Sequence, residues 1–68
     1  MSMQITLKAA RINKGLTQEQ VAAFVGVTKQ TVGSWENGKT IPPIEKIELL
    51  CPLYEVSYND IRWRNKFF

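Results

Sequence analysis

Three side chains that can hydrogen-bond to a polar ligand, Lys29, Gln30 and Ser34, fall within one six-residue span. Projected on a helix at about 100° per residue, they share one arc with Gly33 and Asn37. Lysine suits the acceptors of guanine, glutamine can pair bidentately with adenine, and a glycine lets a helix approach base edges closely. An ordinary solvated helix face has the same pattern, so the flanking segments must decide between the two interpretations.

Catalytic and metal chemistry is not expected. The chain has no histidine and one cysteine, Cys51. It therefore lacks the residues for an intramolecular disulfide, for a Cys/His zinc site and for histidine-based acid–base catalysis. We therefore expect a protein that is not an enzyme, with no metal, no cofactor and no small-molecule ligand.

Length and charge narrow the class further. Sixty-eight residues are enough for a single domain, 1–68, whose small core would gain from oligomerisation. The net charge of +3 favours a polyanionic partner, although many small soluble proteins are mildly basic. Neither a membrane-spanning run nor a signal peptide is evident, which predicts a cytoplasmic protein, located on the nucleoid when bound to DNA.

Capping signals divide the chain into helices. Helix 1 is predicted over Leu7 to Asn13 with Thr6 as N-cap, and helix 2 opens at Thr17, where Gln20 completes a capping box, and ends at Gly26. Helix 3 opens at Thr28 and ends at Asn37-Gly38. Helix 4 follows Ile41-Pro42-Pro43, and a short helix 5 opens at Ser57. The fold class predicted is all-α, with five helices and no strand except in the tail, residues 61–68.

Residues 17–37 form two helices joined by a tight turn that contains Gly26, the arrangement of a helix-turn-helix unit. With the segments Arg11 to Glu19, Val21 to Thr28 and Trp35 to Lys39, the chain closely resembles the Xre/Cro/C1-type helix-turn-helix family over about residues 7–61. The resemblance implies a compact five-helix, lambda-repressor-like domain, sequence-specific binding to double-stranded operator DNA, and commonly a homodimer. The absence of a second domain favours a Cro-like protein or a modulator over a full phage repressor.

The resemblance also implies residue roles. Lys29, Gln30 and Ser34 match base-reading positions, Gln18 matches a phosphate contact at the start of helix 2, and Thr28, Asn37 and Lys39 match backbone-contacting positions. The family pattern pairs Arg11 with Glu36, so a structural ion pair is favoured over a DNA contact for Arg11. Trp35 is expected in the core, on the packing arc beside Val32.

Three departures from the family pattern matter. Phe24 replaces a polar residue, so it either forms part of a protein interface or folds over helix 4. Pro52 predicts that helix 4 ends or kinks near Leu50 or Cys51. Glu55 stands where the following turn usually has glycine or asparagine.

The tail alternates apolar residues at 61, 63 and 67 with basic residues at 62, 64 and 66, the period of a strand. Because an all-helical domain offers no partner strand, we expect residues 61–68 to pair with the same segment of a second subunit, with Trp63 and Phe67 as candidate interface residues. A tail whose Trp63 caps the core, and a basic tail that binds DNA non-specifically, remain open. Two other functions are also open: an anti-repressor that captures a second regulator protein, and the antitoxin of a toxin–antitoxin pair.

Overall fold

Four α-helices and a small parallel sheet make up residues 4–63, the part of the chain that a computed structural model describes. The helices are α1 (Leu7–Asn13), α2 (Gln18–Val25), α3 (Lys29–Glu36) and α4 (Ile44–Tyr54), and the strands are β1 (Ile5–Thr6) and β2 (Ile61–Arg62). The prediction of five helices is wrong, because the fifth predicted helix is not an α-helix. Ser57 precedes a single 3-10 turn, Tyr58–Asp60, in which the Asp60 carboxylate accepts a hydrogen bond from the Ser57 N–H at 2.9 Å.

Threonine hydroxyls begin the first three helices, as the sequence predicted. Thr6, Thr17 and Thr28 each accept a hydrogen bond from the backbone N–H three residues later, at 3.0–3.1 Å. Gln20 completes the capping box, because its Oε1 accepts from the Thr17 N–H at 2.9 Å. Each cap satisfies donors that a helix N-terminus leaves unpaired, which explains why the starts of these helices could be read from the sequence.

Helix α4 continues through Pro52 to Tyr54, so it does not end near Leu50 or Cys51, the first of the two outcomes that the sequence predicted. Pro52 is exposed and lies in the last turn, where its missing N–H deprives only the Glu48 carbonyl of a helical partner. Glu55 then adopts the left-handed conformation with φ 56°, and Val56 N–H donates to the Cys51 carbonyl at 3.0 Å. Helix α4 therefore ends on a left-handed residue, as many helices do, although that residue is not a glycine.

The expectation of no strand outside the tail is also wrong. Ile5 pairs with Ile61 and Thr6 with Arg62 in parallel register, so the strand predicted at the start of the tail has its partner within the same chain. A two-residue strand directly before a helix is too short to show a period-two pattern, which is why β1 was missed. The rest of the tail, including Phe67, lies outside the described residues.

The core lies between the helices and beneath the sheet. Trp35, predicted to be buried, is 5% exposed, and Ile61 of β2 is 1% exposed. The other buried apolar residues of this cluster are Leu7, Ala10, Val21, Ala22, Val25, Val32, Leu50 and Tyr54. Because these residues come from every helix and from β2, the position of α3 is fixed by packing on several sides.

Candidate nucleic-acid interface

The turn between α2 and α3 depends on Gly26. This residue has φ 80°, a left-handed conformation that glycine adopts without steric cost. The N–H groups of Gly26 and Val27 both donate to the Ala22 carbonyl at 2.9 Å, which closes α2 and turns the chain towards Thr28. Two eight-residue helices joined this tightly form a helix-turn-helix unit.

Helix α3 has a buried face and a polar face. Val32 and Trp35 are 1% and 5% exposed and hold the helix against the core. Lys29 and Gln30, from the first turn, are exposed, and Ser34 is half-buried. The three residues predicted to read bases therefore lie on one helix, with the two longest side chains accessible to a ligand.

The residues predicted to contact the DNA backbone lie at both ends of α3. Asn37 and Lys39 follow the helix and are exposed, and Lys39 N–H donates to the Ser34 carbonyl at 2.9 Å. Thr28 precedes the helix, and its hydroxyl caps Thr31 N–H and contacts Thr31 Oγ1 at 2.9 Å. The Thr28 hydroxyl is therefore already engaged within the chain.

Gln18, predicted to contact phosphate, has a partner within the protein. Its Nε2 donates to Glu36 Oε1 at 3.0 Å, and the side chain is half-buried. Since Glu36 is an acceptor, this bond fixes which end of the Gln18 amide points inwards. The other N–H of the same side-chain amide can still donate a hydrogen bond to a phosphate.

Arg11 and Glu36 are in contact, as the family pattern suggested. Arg11 Nε lies 2.7 Å from Glu36 Oε2, and the two side chains are 11% and 3% exposed. Arg11 Nη1 also donates to the Leu16 carbonyl at 2.8 Å. The hydrogen bond that Arg11 donates to Glu36 raises the pKa of Arg11 despite the opposing effect of burial, so the guanidinium keeps its charge.

The tyrosine beside this pair adds no charge. Burial, helped by the negative Glu36, raises the pKa of Tyr54 to about 12, although Arg11 acts in the opposite direction. Tyr54 is 3% exposed and lines the same internal space as Trp35 and Glu36. Because the Tyr54 phenol is neutral, it does not disturb the balance between the opposite charges of Arg11 and Glu36.

Charge is distributed unevenly over the surface. The polar face of α3 and its flanks carry Lys29 and Lys39, while the nearby Glu36 is paired with Arg11. Three of the six acidic residues, Glu45, Glu48 and Glu55, lie in or directly after α4. Lys29 and Lys39 therefore place exposed positive charge before and after the middle of α3, which favours a polyanionic ligand there.

Lys46 was not singled out from the sequence. Its Nζ donates to the Val25 carbonyl at 2.7 Å, at the C-terminal end of α2, where a positive charge is favourable. The contact joins α4 to α2. A lysine that caps a different helix has no local sequence signal, because its partner is 21 residues away.

The candidate protein-contact residues differ in accessibility. Phe24 is 58% exposed, so its side chain lies outside the core, and its role in a protein interface stays a prediction. Trp63 stacks on Tyr58 with ring centroids 5.3 Å apart, and its Nε1 donates to the Tyr58 carbonyl at 2.8 Å. Trp63 therefore packs within its own chain at the edge of the core.

Two other kinds of site have no counterpart within residues 4–63. No group of three histidine, cysteine or acidic side chains in this part of the chain is arranged to hold a metal ion. None of the described helices has the length and apolar character needed to cross a membrane.

Known proteins resemble this chain along most of its length. Antitoxin PezA of Streptococcus pneumoniae is 33% identical over 88% of this chain, and the cryptic phage CTXphi transcriptional repressor RstR of Vibrio cholerae is 36% identical over 74%. The match spans 38% of PezA and 45% of RstR, so the chain corresponds to less than half of either relative. The uncharacterized HTH-type transcriptional regulator YgzD of Bacillus subtilis is 31% identical and matches over 90% of this chain and 92% of its own length. No solved structure matches the chain significantly.

The profile of one family covers most of the chain. It is described as helix-turn-helix and matches residues 7–61, from the first residue of α1 to the first residue of β2. The match includes the Gly26 turn, the polar face of α3 and the Arg11–Glu36 pair. The chain therefore belongs to the helix-turn-helix family of DNA-binding transcriptional regulators.

Proposed function

We propose that the protein is a Cro-like repressor that binds a two-fold operator as a homodimer, with α3 in the major groove of each half-site. Lys29, Gln30 and Ser34 read base edges, and Gln18, Thr28, Asn37 and Lys39 bind the sugar–phosphate backbone. Occupied operators exclude RNA polymerase. The backbone contacts supply salt-dependent affinity, while α3 supplies sequence specificity.

One observation carries the proposal: α3 exposes Lys29 and Gln30 while its opposite face, Val32 and Trp35, is buried. A recognition helix needs this combination, since it must be held rigidly while its outer side chains reach the bases. The rigidity has a second source in the Arg11–Glu36 pair at the other end of α3.

Selection from a random duplex library tests the proposal even though the operator sequence is unknown. The parent protein is expected to enrich a two-fold motif whose half-sites are about 34 Å apart. A variant with Lys29→Ala and Gln30→Ala should lose the motif, whereas Glu48→Ala, an exposed change on α4, should enrich the parental motif. Failure of the parent protein to enrich any sequence would refute the proposal.

A protein-binding role is the second candidate, because Phe24 is 58% exposed beside the exposed Ala23. Such a protein would capture a second regulator as an anti-repressor, or a toxin as an antitoxin, and the similarity to PezA supports the antitoxin form. The neighbouring gene discriminates these functions. A toxin gene favours the antitoxin, and a divergently transcribed regulator gene favours a phage switch.

A further inference from the structure

Gly33 stands in the middle of α3, where the fold itself gives no reason for a glycine. Its backbone is helical, unlike that of the three glycines with positive φ, so any residue could adopt its conformation. A Cβ added to Gly33 would meet a single side-chain atom, Gln18 Nε2 at 3.8 Å, which is an ordinary van der Waals contact. Neither backbone strain nor crowding among the described residues therefore requires glycine at this position.

A glycine at this position weakens the helix. In a helix interior, glycine is less favourable than alanine, because the unfolded chain has more backbone conformations to lose. Gly33 is half-buried and projects between Lys29 and Asn37, both exposed, on the polar face of α3. The missing side chain is explained if the ligand of this face comes into contact with the helix backbone there.

The side chain beside Gly33 is that of Gln18. Its Nε2 donates to Glu36 Oε1 at 3.0 Å, which holds the amide in place and leaves its other N–H able to donate to a ligand. The α3 backbone at Gly33 and the Gln18 amide together border a space that we call the Gly33 hollow. A methyl group at Gly33 would contact Nε2 and take part of the room that a second acceptor of this nitrogen needs.

The charges around the Gly33 hollow favour an anion. Lys29 is exposed one turn before Gly33, and residues four apart on a helix are neighbours on its surface. The negative charge of Glu36 is balanced by Arg11, whose Nε lies 2.7 Å from Glu36 Oε2. A phosphate in the hollow would therefore meet an amide donor and a nearby positive charge.

We propose that a phosphate of the DNA backbone occupies the Gly33 hollow, in contact with the α3 backbone at Gly33 and hydrogen-bonded to Gln18 Nε2. The proposal rests on the operator binding proposed above and adds Gly33 to the residues that contact DNA. From the sequence, a glycine on this face suggested close approach to base edges, whereas the position of Gln18 assigns Gly33 to the sugar–phosphate backbone. Gly33 therefore contributes affinity for any duplex, without preference for one base.

Gly33→Ala tests the proposal, because its effects on the fold and on DNA binding are expected to have opposite signs. Alanine should raise the melting temperature by about 4 °C. It should weaken binding to selected and random duplexes alike by about tenfold, which corresponds to one lost hydrogen bond to a charged group. Glu48→Ala, an exposed change on α4, is the control and should bind both duplexes as the parent does.

A double-mutant cycle with Gln18→Ala tests whether the two residues share one phosphate. The double variant should lose clearly less binding free energy than the sum of the two single variants, because either change alone already disturbs the same contact. Melting curves of all the variants show whether each is folded at the temperature of the binding measurement.

Four results would overturn the proposal. Gly33→Ala could bind both duplexes as tightly as the parent, or it could lower the melting temperature, which would show that the fold requires the glycine. Loss of affinity for the selected duplex alone would place a base edge over Gly33, and additive effects with Gln18→Ala would separate the two residues. A parent protein that enriches no duplex would refute operator binding and this inference together, whereas the four results above leave operator binding intact.

Discussion

Glu36 binds Arg11 through two hydrogen bonds, Nε to Oε2 at 2.7 Å and Nη2 to Oε1 at 3.2 Å. The same carboxylate accepts from Gln18 Nε2 at 3.0 Å, so side chains of α1 and α2 converge on the last residue of α3. The contact between Arg11 and the Leu16 carbonyl adds the loop that precedes α2. The Glu36 side chain, which is 3% exposed, therefore adds polar contacts from α3 to α1 and α2 to the apolar packing that holds α3.

Truncation of either member of this pair is expected to destabilise the fold. Glu36→Ala or Arg11→Ala leaves a charge in a poorly hydrated place without its partner, and each should lower the free energy of unfolding by about 3 kcal/mol. The double variant should lose clearly less than the sum of the two single variants, because the second truncation removes a charge that is already unpaired. A double-mutant cycle measured by urea unfolding gives this coupling.

The ion pair between Lys14 and Glu55 is the matched control for that cycle. Its side chains are 31% and 74% exposed and lie 2.8 Å apart, so solvent screens the attraction. We expect coupling of about 0.5 kcal/mol or less for this exposed pair. If the Arg11 and Glu36 truncations also add to within about 0.5 kcal/mol, the two residues do not act as a structural pair.

Gln30 is expected to contribute sequence specificity. It is exposed in the first turn of α3, and an amide side chain there can donate to and accept from one base. Gln30→Ala should cost about 1–3 kcal/mol of binding at the preferred site and relax the preference at one base position. Affinities for all single-base variants of the selected site provide the measurement. Identical discrimination by parent and variant would remove Gln30 from the base-reading group.

Lys39 is expected to contribute affinity without specificity. It lies beyond the end of α3, exposed, with its backbone held by the Ser34 carbonyl at 2.9 Å. Lys39→Ala should weaken binding to selected and random duplexes by the same factor and reduce the slope of log K against log salt by about one. Lys46→Ala is the control of equal charge, because Lys46 donates to the Val25 carbonyl within the protein. A slope that is unchanged by Lys39→Ala, together with lost discrimination, would show that Lys39 reads bases.

Local rules predicted the elements that hold α3. The threonine caps and the left-handed Gly26 each depend on residues within four positions of one another, so the sequence displays them directly. The two faces of α3 followed from the helical period for the same reason. For the starts of α1, α2 and α3 and for the Gly26 turn, the prediction and the structure agree.

Apart from the Arg11–Glu36 pair, which the family resemblance implied, the long-range contacts could not be predicted from the sequence. The pairing of β1 with β2 and the bond from Gln18 to Glu36 join residues far apart in the chain, with no periodic signal at either partner. Pro52 shows a different limit. A proline rule written for helix interiors overestimated its effect in an exposed last turn, where a single carbonyl loses its partner.

Glu55 provides the last prediction, because it is the described non-glycine residue with a positive φ, 56°. A side chain in this conformation costs about 1 kcal/mol relative to glycine, whereas the exposed ion pair with Lys14 contributes less. Glu55→Gly should therefore raise the free energy of unfolding by about 0.5 kcal/mol, and Glu55→Ala, which keeps the strain and loses the pair, should lower it slightly. Urea unfolding at low and high salt measures both effects, since salt screens the ion pair and leaves the backbone strain unchanged. The order of stability expected is glycine, then glutamate, then alanine. An alanine variant at least as stable as the glycine variant would show that backbone strain at this helix end is not what limits the stability.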